Sequence, residues 1–131
     1  MKAEVKWIED LKFVGKTDKN QGITMASGDC TYFSPMEMVL MAAGGCSSVD
    51  VVDGLKEAGQ AITGCNAKLE TERRETAPKI FTAINIHFEV SGDNLDKELV
   101  AKVCADSLEK YCSVCLMLGA GVEMTHSWEI V

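Results

Sequence analysis

Three of the six cysteines in the 131-residue chain stand where thiol chemistry is feasible. Cys46 follows Gly44-Gly45 in "MAAGGCSSVD", and Cys112 and Cys115 lie three apart in "EKYCSVCLML". Such a pair suits a metal clamp, a redox couple, a partner for Cys46, or plain core filling. Zinc would want four ligands at ribbon spacing. Cys30, Cys65 and Cys104 are isolated, and His87 and His126 sit in strand-like segments, so no metal site is expected. A thioredoxin-type couple would follow a strand and open a helix, whereas "LVAKVCADSLEKY" ahead of this one reads as helical. Pairing one of these thiols with Cys46 needs two cysteine-bearing helices to meet in the core.

The chain length suits one compact domain spanning 1–131. Charged residues make up 25% and apolar residues 47%, an ordinary globular balance. Net charge is -7 and the 13 basic residues are scattered, which argues against a nucleic-acid partner. No uninterrupted apolar run reaches the ~18 residues of a membrane span, so no membrane association is expected. The start, "MKAEVKWIED", alternates charged and apolar residues and has no signal-peptide core, so a cytoplasmic address is expected. Cysteines in that compartment are thiols more often than structural disulfides.

The elements that must position these thiols follow from periodicity. "KAEVKWI" alternates as a half-buried strand, and "LKFVG" and "GITMAS" are two more around the turn "KTDKNQG". Ser34-Pro35-Met36-Glu37 offers an N-cap serine, a first-turn proline and a glutamate at N3, a capping box that opens a long helix. Its first half is almost wholly apolar and its second amphipathic, so it is expected to start inside the protein and end at the surface. Two long strands follow, "CNAKLETERRE" and "KIFTAINIHFEVSG", with Ala77-Pro78 at the bend. Leu95, Leu99, Val103 and Leu108 mark a second helix, and "EMTHSWEIV" closes as a strand. The order β-β-β-α-β-β-α-β predicts an α+β fold with helices against antiparallel sheet.

With these elements in place, "SPMEMVLMAAGGCSSVDVV" resembles the signature helix of the OsmC/Ohr family of thiol-dependent hydroperoxidases, Pro-x-Glu followed by an apolar stretch and a cysteine. "EKYCSVCLML" resembles that family's second motif, commonly Cys-Pro-Val-Ser, and the two motifs place Cys46 and Cys112 66 positions apart. The resemblance implies antiparallel sheets packed on two central cysteine-bearing helices in an intertwined homodimer. It implies that Cys46 is the peroxidatic cysteine and Cys112 the resolving one, reducing organic hydroperoxides to alcohols through a Cys46 sulfenic acid and a Cys46–Cys112 disulfide. It further implies no bound cofactor, with a dithiol such as a lipoyl group as reductant. Phe33, Met36, Met38, Met41 and Tyr111 are candidates to line an apolar substrate pocket.

The chain departs from the family pattern twice. Efficient members hold the reactive thiolate with an arginine from the N-terminal region, and here the only arginines are Arg73 and Arg74. That absence leaves an alternative, a non-catalytic small-molecule-binding or redox-sensing protein with unactivated thiols. Glu37 matches Pro-x-Glu and is an auxiliary candidate. On an unbroken helix, however, nine residues put it about 180° around and about 13 Å along from Cys46. Ser113 replaces the usual proline and Cys115 the usual serine, so Cys115 is a second auxiliary candidate. On one helix it would share a face with Cys112, and a helix N-terminus there would favour thiolate. Asp50, one turn beyond Cys46, is expected to point to solvent.

Overall fold

The computed structural model describes residues 1–131, which divide into two compact units, Met1–Met41 and Ala42–Val131. In the first, β1 (Ala3–Glu9), β2 (Lys12–Thr17) and β3 (Gly22–Ala26) form an antiparallel meander in the order β1-β2-β3. Asp10 and Asn20 take the left-handed turn conformation at φ 45° and 61°, which their short polar side chains tolerate. All seven residues of β1 are exposed, Trp7 at 62%, rather than half-buried. Alternation marks an apolar face but does not say that the same chain covers it.

Helix α1 (Pro35–Glu57) opens with the expected capping box. The Ser34 amide donates to Glu37 Oε2 at 2.8 Å and the Glu37 amide to Ser34 Oγ at 3.2 Å. The helix runs unbroken through Gly44-Gly45. Its burial is the reverse of expectation: Ala43, Gly44, Ser47, Val51 and Leu55 form the buried row, while Val39 and Met41 near the start are exposed. By length and composition alone α1 qualifies as a membrane-crossing helix, as core helices also do. Its buried row instead faces protein, as in a core helix.

In the second unit β4 (Ala61–Arg73), β5 (Phe81–Asp93) and β6 (Glu123–Ile130) form one sheet in that order. β4 and β5 make a long antiparallel hairpin. β6 then pairs with β5 in parallel, from Ala83 opposite Glu123 to Val90 opposite Ile130. This sheet is therefore mixed and not antiparallel as expected; parallel pairing needs a crossover, which the helical segment between β5 and β6 supplies. Ile84, Ile86, Phe88 and Val90 line one face of β5 and are fully buried with Val51, Leu55, Val100 and Cys104. Burying such side chains stabilises by roughly 1.5–3 kcal/mol each. The α+β class stands as read from the sequence.

The expected second helix is two helices joined by a π-helical turn. α2 (Lys97–Asp106) is capped by Asp96, whose carboxylate accepts the amides of Glu98 and Leu99 at 2.8 and 3.3 Å. The π turn spans Ser107–Tyr111, and α3 (Ser113–Leu118) follows.

Candidate functional site

The π turn is held by local ion pairs and by partners on the distant α1. Asp106 is held between Lys102 and Lys110, at 2.5 and 2.7 Å, one turn to either side of it. The buried Ser107 hydroxyl donates to the Ser47 carbonyl of α1 at 3.0 Å and lies 3.3 Å from Asp50 Oδ2. Asp50 thus faces the π turn rather than solvent. The extra residue appears in the ladder as the Cys112 amide donating to the Ser107 carbonyl at 2.7 Å. Such insertions recur at functional sites.

Cys112 then leaves helical geometry, at φ -68° and ψ 106°, and becomes the N-cap of α3. The two cysteines are not one turn apart on a continuous helix, as expected; Cys112 precedes α3 and Cys115 lies in its first turn. Their sulfurs still converge. The Cys115 amide donates to Cys112 Sγ at 3.4 Å, and Cys115 Sγ is 3.9 Å from the Ala43 carbonyl on α1. The Cys46 thiol is a near neighbour of Cys112. All six thiols are free; Cys112 and Cys115 are buried and Cys46 is half-buried. Cys46 is the member of the trio that meets solvent.

Electrostatics follow from that burial. Desolvation pushes the Cys112 thiol up to about 12, with the Cys115 amide pulling the other way and the Cys46 and Cys115 thiols adding to the rise. Burial also raises Cys115; its contact with Cys112 opposes this, and Cys46 and Asp50 add to it. No cation acts on either thiol. Arg73 and Arg74 spend their Nε–H groups on backbone carbonyls of the β4–β5 connection, at 2.8 Å from Lys79 O for Arg73 and 3.0 Å from Pro78 O for Arg74.

The other candidates are placed differently. Glu37 is engaged in the capping box, as the helix geometry foretold. Phe33 and Met41 line a cleft of about 350 Å³ with Cys30, Tyr32 and Leu40, to which Met36 does not contribute. Tyr111 lines a separate cavity of about 560 Å³ with Asp50, Asp53, Lys102 and Asp106. Tyr111, the last residue of the π turn, is 63% exposed. Cys30 is exposed and Cys104 buried, the latter pushed up to about 12 by burial, with Cys65 adding to the rise.

Two features escaped the sequence. Ser107 carried no motif, and only its reach to α1 identifies it. On the solvent face of the mixed sheet His87, Glu89 and Glu129 bring ligand atoms within 4.8 Å of one another. The parallel register that sets Glu89 opposite Glu129 is not readable from local pattern. His87 is held by Ser127 at 2.8 Å and Glu129 at 3.2 Å, a satisfied strand histidine, and Glu89 is already paired with Lys68 and Asn66.

A cysteine on a long glycine-containing helix, met in the core by a second cysteine on a short segment between sheet strands, defines a thiol-site α+β protein. The chain belongs to the family of OsmC-like proteins, whose pattern matches residues 28–127. Protein YhfA of Escherichia coli (strain K12) is 52% identical over 133 residues, covering 100% of this chain and 98% of that protein. A hypothetical protein from Aquifex aeolicus VF5 superposes with a TM-score of 0.89 at 31% identity, over 99% of this chain and 95% of that one. The OsmC-like protein from Mycoplasma pneumoniae shares the fold, with a TM-score of 0.86 at 13% identity over 99% and 96% of the two chains.

Proposed function

We propose that the protein is a thiol-dependent peroxidase that reduces organic hydroperoxides to alcohols. The observation that carries this reading is the half-buried Cys46 on the stretch of α1 that the buried Cys112–Cys115 segment packs against, with Cys115 Sγ 3.9 Å from the Ala43 carbonyl. The Cys46 thiolate attacks the distal oxygen of ROOH; the O–O bond breaks, ROH leaves with a proton, and Cys46 becomes a sulfenic acid. The Cys112 sulfur, giving up its proton, then displaces hydroxide from the Cys46 sulfur, yielding water and a disulfide. A dithiol such as a lipoyl group restores both thiols by exchange and is itself oxidised. Burial keeps Cys112 protonated until sulfenic acid forms beside it, so it does not compete for peroxide.

The reading includes a cytoplasmic homodimer. The exposed Val39, Met41 and Trp7 support it, since a second copy would remove these side chains from water. A second reading, an unactivated binding or redox-sensing protein, is favoured by the lack of any cation acting on Cys112 or Cys115 and by the local engagement of Arg73 and Arg74.

The test is one equivalent of cumene hydroperoxide, with hydrogen peroxide in parallel, followed by peptide mapping. A fast Cys46–Cys112 disulfide, preferring the organic peroxide and lost in Cys46→Ser, supports the enzyme. Slow, unselective oxidation centred on Cys30 supports the second reading.

A further inference from the structure

We infer that Cys115 is a third redox residue, which takes the disulfide over from Cys46 and closes a Cys112–Cys115 couple at the opening of α3. The origin of the first disulfide rests on the peroxidase reading above; the couple itself rests on the geometry of α3. Cys112 is the extended N-cap and Cys115 lies in the first turn, with its amide aimed at Cys112 Sγ from 3.4 Å. A CxxC whose first sulfur sits at a helix start is the arrangement that thiol-exchange couples use. The 3.4 Å contact between the Cys115 amide and Cys112 Sγ sets the two residues side by side at the helix start, as a disulfide requires. The segment ahead of Cys112 is helical, yet the π turn ends at Tyr111 and lets α3 begin afresh, which supplies the helix opening that the sequence seemed to lack.

Cys115 is also correctly placed relative to the first disulfide. Its sulfur lies 3.9 Å from the Ala43 carbonyl, three residues before Cys46 on α1, so both partners of Cys112 sit along the same stretch of that helix.

The step balances without a further reagent. The Cys115 thiolate attacks Cys112 Sγ, the Cys46–Cys112 bond breaks, and its electron pair leaves on Cys46 Sγ, which takes up the proton Cys115 gave. One disulfide is lost and one gained. Of the three sulfurs Cys46 is the one in contact with water, so it is the best solvated leaving group. The exchange frees Cys46 for another hydroperoxide while the oxidising equivalent waits in the core. Reversal returns the disulfide to Cys46, where an external dithiol can reach it.

The test separates this couple from the peroxidase reading by using no peroxide in its first arm. The full-length reduced protein is equilibrated in a ladder of oxidised and reduced dithiothreitol, quenched with an alkylating agent and mapped. A Cys112–Cys115 disulfide with Cys46 alkylated is expected; a Cys46–Cys112 disulfide with Cys115 alkylated, or three alkylated thiols at every ratio, overturns the couple. In the second arm cumene hydroperoxide is added without reductant. Wild type should consume about two equivalents, one for the disulfide and one for sulfenic acid on the freed Cys46, and Cys115→Ser about one. Equal consumption by the two proteins overturns the relay. The couple in the first arm with no oxidation by peroxide in the second sinks the peroxidase reading and leaves the exchange couple standing.

Discussion

The Cys112 sulfur accepts the amide of Cys115 at 3.4 Å, so the resolving candidate is the cap of α3 and not a residue on its surface. Its replacement should therefore separate two steps. Cys112→Ser retains a cap acceptor, so α3 should persist while the resolving thiol is gone. Cys46 should then oxidise at an unchanged initial rate but accumulate as sulfenic and sulfinic acid, adding about 16 or 32 Da in intact mass. Cys46→Ser should lower peroxide consumption to the uncatalysed background. A Cys112→Ser protein that turns over with reductant as fast as wild type would show that Cys112 does not resolve.

The buried thiols make stability fall on the alkaline side. Cys104 and Cys112 are raised by burial from 9.0 to about 12, so between these values the unfolded chain has released protons that the folded one still holds. Unfolding is then favoured by rising pH, by up to about 1.4 kcal/mol per pH unit for each such thiol. Stability of the reduced protein should be undiminished by these groups below pH 9 and decline above it. Thermal melts from pH 7 to 10.5 check this, and Cys104→Ala should flatten the slope.

Ser107 joins the π turn to α1 through the Ser47 carbonyl at 3.0 Å. Ser107→Ala removes the second hydrogen bond to the Ser47 carbonyl, which keeps its bond within α1, at a cost of about 0.5–1.5 kcal/mol. Beyond the lower melting temperature, it should loosen the segment that presents Cys112. Disulfide formation after Cys46 oxidation should slow more than Cys46 oxidation itself, measured by quenched mass spectrometry. Equal slowing of both steps would place the effect on Cys46 alone.

What the sequence disclosed was local in origin. Ser34 and Glu37 satisfy each other across three residues, so the capping box could be read directly, and with it the structural use of Glu37. The alternation of Ile84, Ile86, Phe88 and Val90 likewise reports a buried face through its own spacing. The break after Asp106 was hidden because it depends on Ser47 and Asp50, some 60 positions earlier, and the parallel β6 because register is set by residues from two distant strands. The burial of α1 was inverted for a related reason. Apolar Val39 and Met41 signal a face that wants cover, which periodicity cannot assign to one chain or to two.

Gly44 and Gly45 stand side by side in α1 but for different reasons, and substituting each separately shows it. A Cβ on Gly44 would lie 2.7 Å from Leu69 Cδ1, so the helix reaches β4 at close range because this residue is bare. Gly44→Ala gains about 1 kcal/mol of helix propensity but must displace a packed leucine, which costs typically 1–3 kcal/mol. The net should be destabilising. A Cβ on Gly45 meets nothing within 4 Å in its own chain, so Gly45→Ala should stabilise the folded chain by about 0.5–1 kcal/mol. Denaturant melts of the two variants should move in opposite directions. If Gly45→Ala instead destabilises, and does so more as protein concentration rises into the range where chains associate, a second copy occupies the space beside Gly45, and the open face of α1 next to the Cys46 site is an interface.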